Sequence, residues 1–556
     1  MTEERDTTTD LSERTRDAIA QCCAERVASR IWERDPSLWP GDAHEWLDWL
    51  EAPRPPRTML AQLDAVAAGA RAHDDVLLLG MGGSSLCPEV LAESFGRQAG
   101  FPRLRILDSS VPADVLQRTA TVDPARTLVI VASKSGTTLE TDVARRHFTE
   151  LLPPAADGTL PMIAITDPDT ALSTLAADQR YRHVALGQPG IGGRFSALSI
   201  FGLLPAAAMG LDVPRLLASA QAMAARCKAD TADNPGLALG VAMASAAAAG
   251  RNKLTLVCSQ PIATLGAWVE QLVAESTGKD GKGIVPVDLE PLGAAGQYGD
   301  DRLFVHVRLT GDDSVDDGLS ALAQAGHPVI TLDVEDSHGL GGEFFRFQFA
   351  TAVAGHLMKL NPFDQPDVEA AKRAARRMME QQADAQPQQR RVGDIEDVAL
   401  WVAANTQPTS TADAATTLRD AVDDLPPGGY IALQAYVQRS QQTHAALARM
   451  RDRLRTHSMR ATTYGFGPRF LHSTGQLHKG GPDSVLCLQI TADDPQPLAI
   501  PGKDFDFGAL ARAQAAGDFE VLAERGRRVL RLHVPSDDAA SLDALDATLE
   551  RVLARS

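Results

Sequence analysis

The 556-residue chain is too long for one ordinary hydrophobic core, so we expect two main domains with additional segments. Its 44% apolar and 23% charged residues are ordinary for a globular protein. The net charge of −18 disfavours nucleic acid and acidic membrane surfaces as main partners, whereas a small anionic substrate needs only a local basic pocket.

The cysteines and the N-terminal residues predict a cytoplasmic location. Six cysteines are scattered along the chain without a CxxC pair, which is typical of reduced, buried thiols. The first 17 residues are polar and acidic, unlike a signal peptide. No apolar run is long enough to span a bilayer, so we expect no membrane association.

Residues 1–72 are predicted to form an N-terminal helical arm. Apolar residues recur at helical spacing from Thr15 to Ile31, which predicts one helix there. Prolines at 53, 55 and 56 mark a break before a second predicted helix, from Thr58 to Ala72.

Residues 73–250 are predicted to form the first α/β domain. Short apolar strands at 75–80, 104–110, 128–131 and 161–167 alternate with helical segments. This alternation predicts a doubly wound parallel sheet. A glycine-rich turn at 81–85 follows the first strand, and two such turns at strand carboxyl ends can face the same crevice.

The second such turn, residues 133–138, reads SKSGTT and joins a strand to a helix. Backbone N–H groups at a helix N-terminus and short hydroxyl donors are suited to holding a phosphate monoester. The alternative is a simple N-cap and turn, but one cap needs only one hydroxyl. The usual P-loop and dinucleotide-binding patterns do not match this stretch.

A second α/β domain is predicted in two parts, residues 251–392 and 426–556, separated by an insertion or linker at 393–425. Candidate strands of the first part begin near residues 254, 303 and 328. Candidate strands of the second part begin near residues 430, 485 and 529.

Two segments carry candidate catalytic charges. Glu275 ends an apolar helical run, VEQLVAEST, which would place its carboxylate inside the protein near Lys279. A buried carboxylate beside a cation can act as a base, although a surface ion pair at the helix end is an alternative. Arg194, in GIGGRFS, is either a guanidinium placed against a substrate oxygen or a plain surface residue.

Two further segments carry candidate polar groups. Gln365 and Lys372 lie in NPFDQPDVEAAK about two helical turns apart, so both can face one side, although Lys372 could simply be solvated. His472 and His478 lie in HSTGQLHKG without a carboxylate or cysteine at zinc-site spacing, which disfavours a metal site. A catalytic histidine and a pair of surface-loop histidines both remain open.

Six short motifs together resemble the glucose-6-phosphate isomerase (phosphoglucose isomerase) family. They are GMGGSSL, SKSGTTLET, GGRFS, AESTGK, NPFDQPDVEAAK and HSTGQLHKG. The resemblance implies two parallel-sheet domains of the sugar-isomerase (SIS) type with a helical arm. The segment around the last motif looks most like the isomerase half of bifunctional transaldolase/glucose-6-phosphate isomerase proteins, and no transaldolase half is visible.

The resemblance also implies roles for individual residues. Glu275 would move a proton between C1 and C2, and Arg194 would stabilise the cis-enediol. His472, with Lys372, would assist ring opening. The residues that would bind the sugar phosphate are Gly83, Ser84, Ser133, Lys134, Ser135, Thr137, Thr138 and Gln365. No metal or other cofactor is expected.

The order of the motifs departs from the family pattern. There the histidine segment precedes the FDQ segment, whereas here it follows Lys372. None of the histidines between Glu275 and Lys372 carries the motif, namely His306, His327, His338 and His356. In the family the histidine loop comes from a neighbouring subunit, so the resemblance allows a homodimer, and the changed order leaves this open. His478 is a nearby rival of His472.

The implied activity is the reversible interconversion of glucose 6-phosphate and fructose 6-phosphate, a step of glycolysis and gluconeogenesis. One alternative is an isomerase that also accepts mannose 6-phosphate, because the proton-transfer groups would be shared. Another alternative is a regulatory protein that binds sugar phosphates without turnover.

Overall fold

The computed structural model describes residues 7–366, 389–404, 413–494 and 496–554. The chain begins with helices α1 (Thr7–Ala24) and α2 (Val27–Trp32). The prediction of one continuous helix from Thr15 to Ile31 is wrong, because Arg26 adopts a left-handed conformation with φ of 57° and interrupts it.

The first sheet is parallel throughout. Its strands are β1 (Asp75–Gly80), β2 (Arg103–Leu107), β3 (Thr127–Ala132), β4 (Leu160–Thr166) and β5 (Tyr181–Leu186), in the order β2-β1-β3-β4-β5. The helices around it are α3 (Arg57–Ala70), α4 (Leu86–Phe95), α5 (Pro112–Thr121), α6 (Leu139–Leu151), α7 (Ala171–Asp178) and α8 (Ile200–Ala208).

Both faces of this sheet are covered. Along β1, Val76 and Leu78 pack into one hydrophobic core, whereas Leu77 and Leu79 pack into another on the opposite face. The continuous apolar run of β1 follows from this double burial. The predicted doubly wound parallel sheet is therefore confirmed.

The second sheet is smaller and also parallel. Its strands are β6 (Lys253–Cys258), β7 (Val285–Val287), β8 (Arg302–Leu309) and β9 (Val329–Val334), in the order β7-β6-β8-β9. The helices of this part are α9 (Val213–Arg226), α10 (Pro235–Ala248), α11 (Leu265–Thr277), α12 (Asp316–Gln324) and α13 (Leu340–Met358).

The strands after residue 388 build a third sheet. They are β10 (Gln389–Ile395), β11 (Val398–Ala403), β12 (Tyr430–Tyr436), β13 (Ala461–Phe466), β14 (Val485–Ala492) and β15 (Arg528–Val534), in the order β10-β11-β15-β14-β12-β13. The accompanying helices are α14 (Ala414–Asp423), α15 (Gln441–Ser458), α16 (Gly475–Gly480), α17 (Phe507–Glu524) and α18 (Ala539–Leu553).

This third sheet differs from the expectation that residues 426–556 continue the second domain. In the described ranges these strands pair with one another and not with β6–β9. Residues expected to be an insertion at 393–425 supply the end of β10 and all of β11, and both strands are antiparallel to their neighbours. We call the part from Gln389 to Leu553 the third unit.

The parallel strands of the third unit repeat the order of the other two sheets. In each sheet the first strand lies between the second and the third, as in β13-β12-β14-β15 and β7-β6-β8-β9. In such sheets the crevice for a ligand lies beyond the carboxyl ends of the strands, where the strand order reverses.

Partly buried ion pairs join the third unit to the part of the chain that carries the first sheet. Arg469 Nη1 lies 2.6 Å from Asp108 Oδ2, and Arg439 Nη2 lies 2.6 Å from Glu89 Oε1. Arg469 also pairs with Glu89. Because Arg469 lies three residues after the end of β13, its two ion pairs hold the loop after β13 against the part of the chain that carries the first sheet.

None of the helices in the described ranges combines the length and apolar character that crossing a bilayer requires.

Candidate active site

A cavity of about 600 Å³ lies where the carboxyl ends of strands from the first and third sheets meet helix α11. Among the described residues, every predicted site residue lines it except Ser133. The lining residues are Met81, Gly82, Gly83, Ser84, Lys134, Ser135, Thr137, Thr138, Leu139, Glu140, Asp167, Thr170, Gly193, Arg194, Gln271, Glu275, Gln365, His472, Leu510 and Gln514.

The glycine-rich turn after β1 allows three segments to approach closely. A Cβ on Gly83 would lie 1.9 Å from the carbonyl oxygen of Gly193. A Cβ on Gly82, which has φ of +55°, would lie 2.8 Å from the carbonyl oxygen of His472. Only glycine fits at these two positions, so the turn brings the segments of Arg194 and His472 to one cavity wall.

The turn after β3 presents hydroxyls and a helix N-terminus to the cavity. Helix α6 begins at Leu139, and its N-cap residue Thr138 makes no capping hydrogen bond with its side chain. The Thr138 hydroxyl instead accepts a hydrogen bond from buried Ser133 at 3.0 Å. Ser133 thus supports the loop from behind, while Ser135 and Thr137 line the cavity. The arrangement suits an anion.

Lys134 is already paired within the protein. Its ammonium contacts the Asp167 carboxylate and donates to the Pro189 carbonyl at 3.2 Å. Both Lys134 and Asp167 line the cavity. A bound anion therefore meets a lysine whose charge is partly compensated.

Glu275 and Arg194 form the centre of the opposite wall. Arg194 Nη1 lies 3.4 Å from Glu275 Oε2, and Arg194 Nε donates to the Ser276 hydroxyl at 2.8 Å. Arg194 is only 2% exposed, and Glu275 is only 4% exposed. Glu275 therefore lies inside the protein against Arg194, and not in a surface ion pair.

Burial raises the pKa of the Glu275 carboxyl above its ordinary value, and the Arg194 guanidinium opposes this shift without cancelling it. A carboxylate with a raised pKa is a stronger base. Glu275 can therefore accept a proton from carbon more readily than an exposed glutamate can.

Arg194 and Lys279 also hold the loop that contains Gln365. Arg194 donates to the carbonyls of Pro362 and Asp364 at 2.6 and 2.8 Å, and to Gln365 Oε1 at 2.8 Å. Lys279 donates to the same Asp364 carbonyl at 2.6 Å. Burial, then Arg194, lowers the pKa of Lys279 to about 8. Lys372 lies outside the described residues.

His472 reaches the cavity from the third unit, at the end of the turn Arg469–His472. Its Nε2 lies 2.9 Å from Glu140 Oε1, and its carbonyl accepts a hydrogen bond from Gln271 at 2.7 Å. The relocated histidine segment therefore reaches the same cavity as Glu275 within one chain.

His478 lies elsewhere. It is buried, and its Nδ1 is 3.0 Å from the Tyr430 hydroxyl. Burial, followed by the charges of Lys479 and Arg527, lowers the pKa of His478 to about 3. It does not line the cavity, so the geometry favours His472 over its rival.

Sequence reasoning missed several lining residues. Glu140 stands inside the SKSGTTLET motif but looks like an ordinary acidic residue of a helix first turn. Gln271 lies one helical turn before Glu275 on α11, a spacing that could have drawn attention to it. Asp167 and Gln514 carry no signal of their own in the sequence.

In the described part of the chain, no group of three or more His, Cys, Asp and Glu side chains is arranged to hold a metal ion.

Fold and cavity together define an α/β enzyme whose site lies at the carboxyl ends of parallel strands. The phosphoglucose isomerase family model matches residues 60–288, which include Arg194 and Glu275 but not His472.

Individual proteins are similar to the chain over most of their own length. A glucose-6-phosphate isomerase of Rubrobacter xylanophilus is 32% identical over 54% of this chain and 81% of its own. One of Heliobacterium modesticaldum is 32% identical over 60% and 87%. A solved structure of a hypothetical protein from Thermus thermophilus has a TM-score of 0.58 and 26% identity, covering 66% of this chain and 98% of its own. The chain belongs to the phosphoglucose isomerase family.

Proposed function

We propose that this protein interconverts D-glucose 6-phosphate and D-fructose 6-phosphate, as an aldose–ketose isomerase of glycolysis and gluconeogenesis. The observation that carries the proposal is the buried pair of Glu275 and Arg194, which faces a hydroxyl-rich helix N-terminus across one cavity. The similar proteins named glucose-6-phosphate isomerase support the substrate.

The hydroxyl-rich turn would hold the phosphate group. The N–H groups at the start of α6 and the hydroxyls of Ser135, Thr137 and Thr138 supply donors for its oxygens. Gly83, Ser84 and Gln365 line the space for the sugar. The substrate carbons are thereby placed between the hydroxyl-rich turn and Glu275.

Proton transfer would then proceed through a cis-enediol. Glu275 takes the proton from C2 of the open-chain aldose and returns it to C1, so that no net proton is consumed. Negative charge develops on the carbonyl oxygen during this step, and the Arg194 guanidinium stabilises it. Both side chains are buried in this wall, and the low dielectric of such a place strengthens the interaction.

Ring opening would use His472. The Glu140 carboxylate orients the imidazole through its contact with Nε2. The family resemblance implies the same step for Lys372, which lies outside the described ranges.

We further propose a cytoplasmic location and no nucleic-acid partner. All six cysteines are free thiols, as is usual in a reducing compartment, and the net charge is −18. A homodimer would not be required to bring His472 to Glu275, because both line the same cavity in one chain.

The test is a coupled assay of the purified protein with fructose 6-phosphate, with and without EDTA. Glu275→Gln should lower kcat by about 10²- to 10⁴-fold because the base is lost. Glu270→Gln is the matched control on the same helix: Glu270 does not line the cavity, and burial, with Asp288, raises its pKa to about 8. Full activity of Glu275→Gln would refute the proposed function.

Mannose 6-phosphate in the same assay tests the dual isomerase. Binding of fructose 6-phosphate by the wild-type protein without turnover would instead favour the regulatory alternative.

A further inference from the structure

Gln514, on helix α17 of the third unit, lines the cavity and makes hydrogen bonds at both ends of its amide. Its Nε2 donates to Glu140 Oε1 at 2.7 Å, and its Oε1 accepts from the Ser110 hydroxyl at 2.6 Å. Ser110 is fully buried, and Gln514 is 5% exposed. An ionised carboxylate only accepts hydrogen bonds, so the amide nitrogen must face Glu140 and the amide oxygen Ser110.

The oxygen that Gln514 contacts is the one that binds the histidine. Glu140 Oε1 lies 2.7 Å from Gln514 Nε2 and 2.9 Å from His472 Nε2. The side chain of a glutamate otherwise rotates about several bonds, and a second donor on the same oxygen restricts that rotation.

We propose that Gln514 is a positioning residue, which holds the Glu140 carboxylate in the orientation that His472 needs. This inference rests on the proposed isomerase function. Gln514 itself takes no part in proton transfer; it acts through Glu140.

The position of Gln514 in the fold supports this role. Glu140 and Ser110 belong to the first α/β unit, whereas Gln514 and His472 belong to the third unit. The hydrogen bonds of Gln514 to Glu140 and Ser110 therefore join the first α/β unit to the third unit beside the cavity. Leu510, one helical turn earlier on α17, packs into the core beneath the first sheet and anchors the helix there. The third unit thus supplies both the histidine and the group that orients its partner.

The test replaces Gln514 by methionine, which keeps the side-chain length and removes both hydrogen-bonding groups. We expect kcat for fructose 6-phosphate to fall about tenfold, with KM changed less than about twofold. The ¹⁵N signal of the His472 imidazole, assigned by its loss in His472→Asn, should shift because its hydrogen bond to Glu140 changes. In a Glu140→Gln background, Gln514→Met should have little further effect on kcat.

Gln489→Met is the matched control. Gln489 is a buried glutamine of the same unit, but its amide donates to the Ala515 carbonyl at 3.0 Å and it does not line the cavity. If both variants lose kcat equally, or if the Gln514→Met effect adds fully to that of Glu140→Gln, the positioning role is wrong.

A second variant tests the inference in case Gln514→Met does not fold. Ser110→Ala removes the hydroxyl that fixes the amide, and it should lower kcat in the same direction by a smaller factor; an unchanged kcat and imidazole signal would overturn the inference. A wild-type protein without isomerase activity would refute the proposed function instead, while the imidazole signal would still report on Gln514.

Discussion

His472 Nε2 lies 2.9 Å from Glu140 Oε1, although 332 residues separate the two in the chain. The contact joins a loop of the third sheet to the first turn of α6. A carboxylate in this place fixes the orientation of an imidazole, and such a pair is the arrangement expected of a general acid–base group.

Replacing Glu140 by glutamine should therefore impair ring opening. We expect kcat for fructose 6-phosphate to fall about 10²-fold, the lower end of the range for general acid–base catalysis. Inhibition by an acyclic polyol phosphate, which has no ring to open, should be nearly unchanged. Glu150→Gln, an exposed position on the same helix, is the control. Equal activity of the two variants would remove Glu140 from the mechanism.

Arg194 should control the acid side of the pH–rate profile. Burial raises the pKa of Glu275 and Arg194 opposes the shift, so loss of the guanidinium raises this pKa further. The base works only when ionised; activity therefore falls as the pH drops through its pKa, and in Arg194→Gln this fall should begin at higher pH. We also expect a plateau about 10²-fold lower.

Arg194→Lys is the control for this profile, because it keeps the positive charge but not the fork of donors. Its acid limb should stay near that of the wild type, even where its plateau is lower. If the fall of activity at low pH shifts equally in both variants, the positive charge of Arg194 is not the cause of the shift.

Asp167 should weaken phosphate binding by occupying Lys134. In Asp167→Asn the ammonium is no longer neutralised, so we expect KM for fructose 6-phosphate to fall by about threefold to fivefold, with kcat unchanged. The gain should shrink at high ionic strength. It should also vanish in the double variant with Lys134→Met; a gain that persists there would show that another group is responsible.

Gly83 should not tolerate even one methyl group. The Cβ of Gly83→Ala would lie 1.9 Å from the Gly193 carbonyl oxygen, so the segment before Arg194 must move. We expect a loss of about 1–3 kcal/mol in the free energy of unfolding, measured by urea denaturation, and a large loss of activity. At Gly193 a Cβ would meet no atom within 4 Å, so Gly193→Ala should keep the wild-type stability.

Local patterns predicted most of the cavity and most of the strands, but not β5, β7, β10, β11 or β13. The apolar runs that became β1, β3, β6 and β12 were visible because strands buried on both faces are continuously apolar. Residues 133–138 were visible because they follow the apolar strand β3, and Glu275 was visible because it lies at the end of an apolar helical run.

Contacts between distant segments were not predictable. Nothing in the spacing of Glu140, Gln514 and His472 indicates that one carboxylate oxygen meets both other side chains. The pairing of β15 with β11 and β14 likewise depends on packing across the whole third unit, so that sheet was assigned to the second domain. The boundaries of the domains themselves remain a prediction.

The presence of His472 in the same chain's cavity predicts that one chain suffices for turnover. Glu275 and Arg194 come from the part matched by the family model, whereas His472 comes from the third unit, held by Arg469 on Asp108. Specific activity should therefore stay constant when the protein is diluted. Sedimentation over the same concentrations shows whether any dimer dissociates in that range. As a second measurement, inactive Glu275→Gln and His472→Ala chains should not restore activity when mixed, because neither can donate its intact residue to the other. Activity that falls with dissociation, or that mixing restores, would show that a neighbouring subunit completes the site.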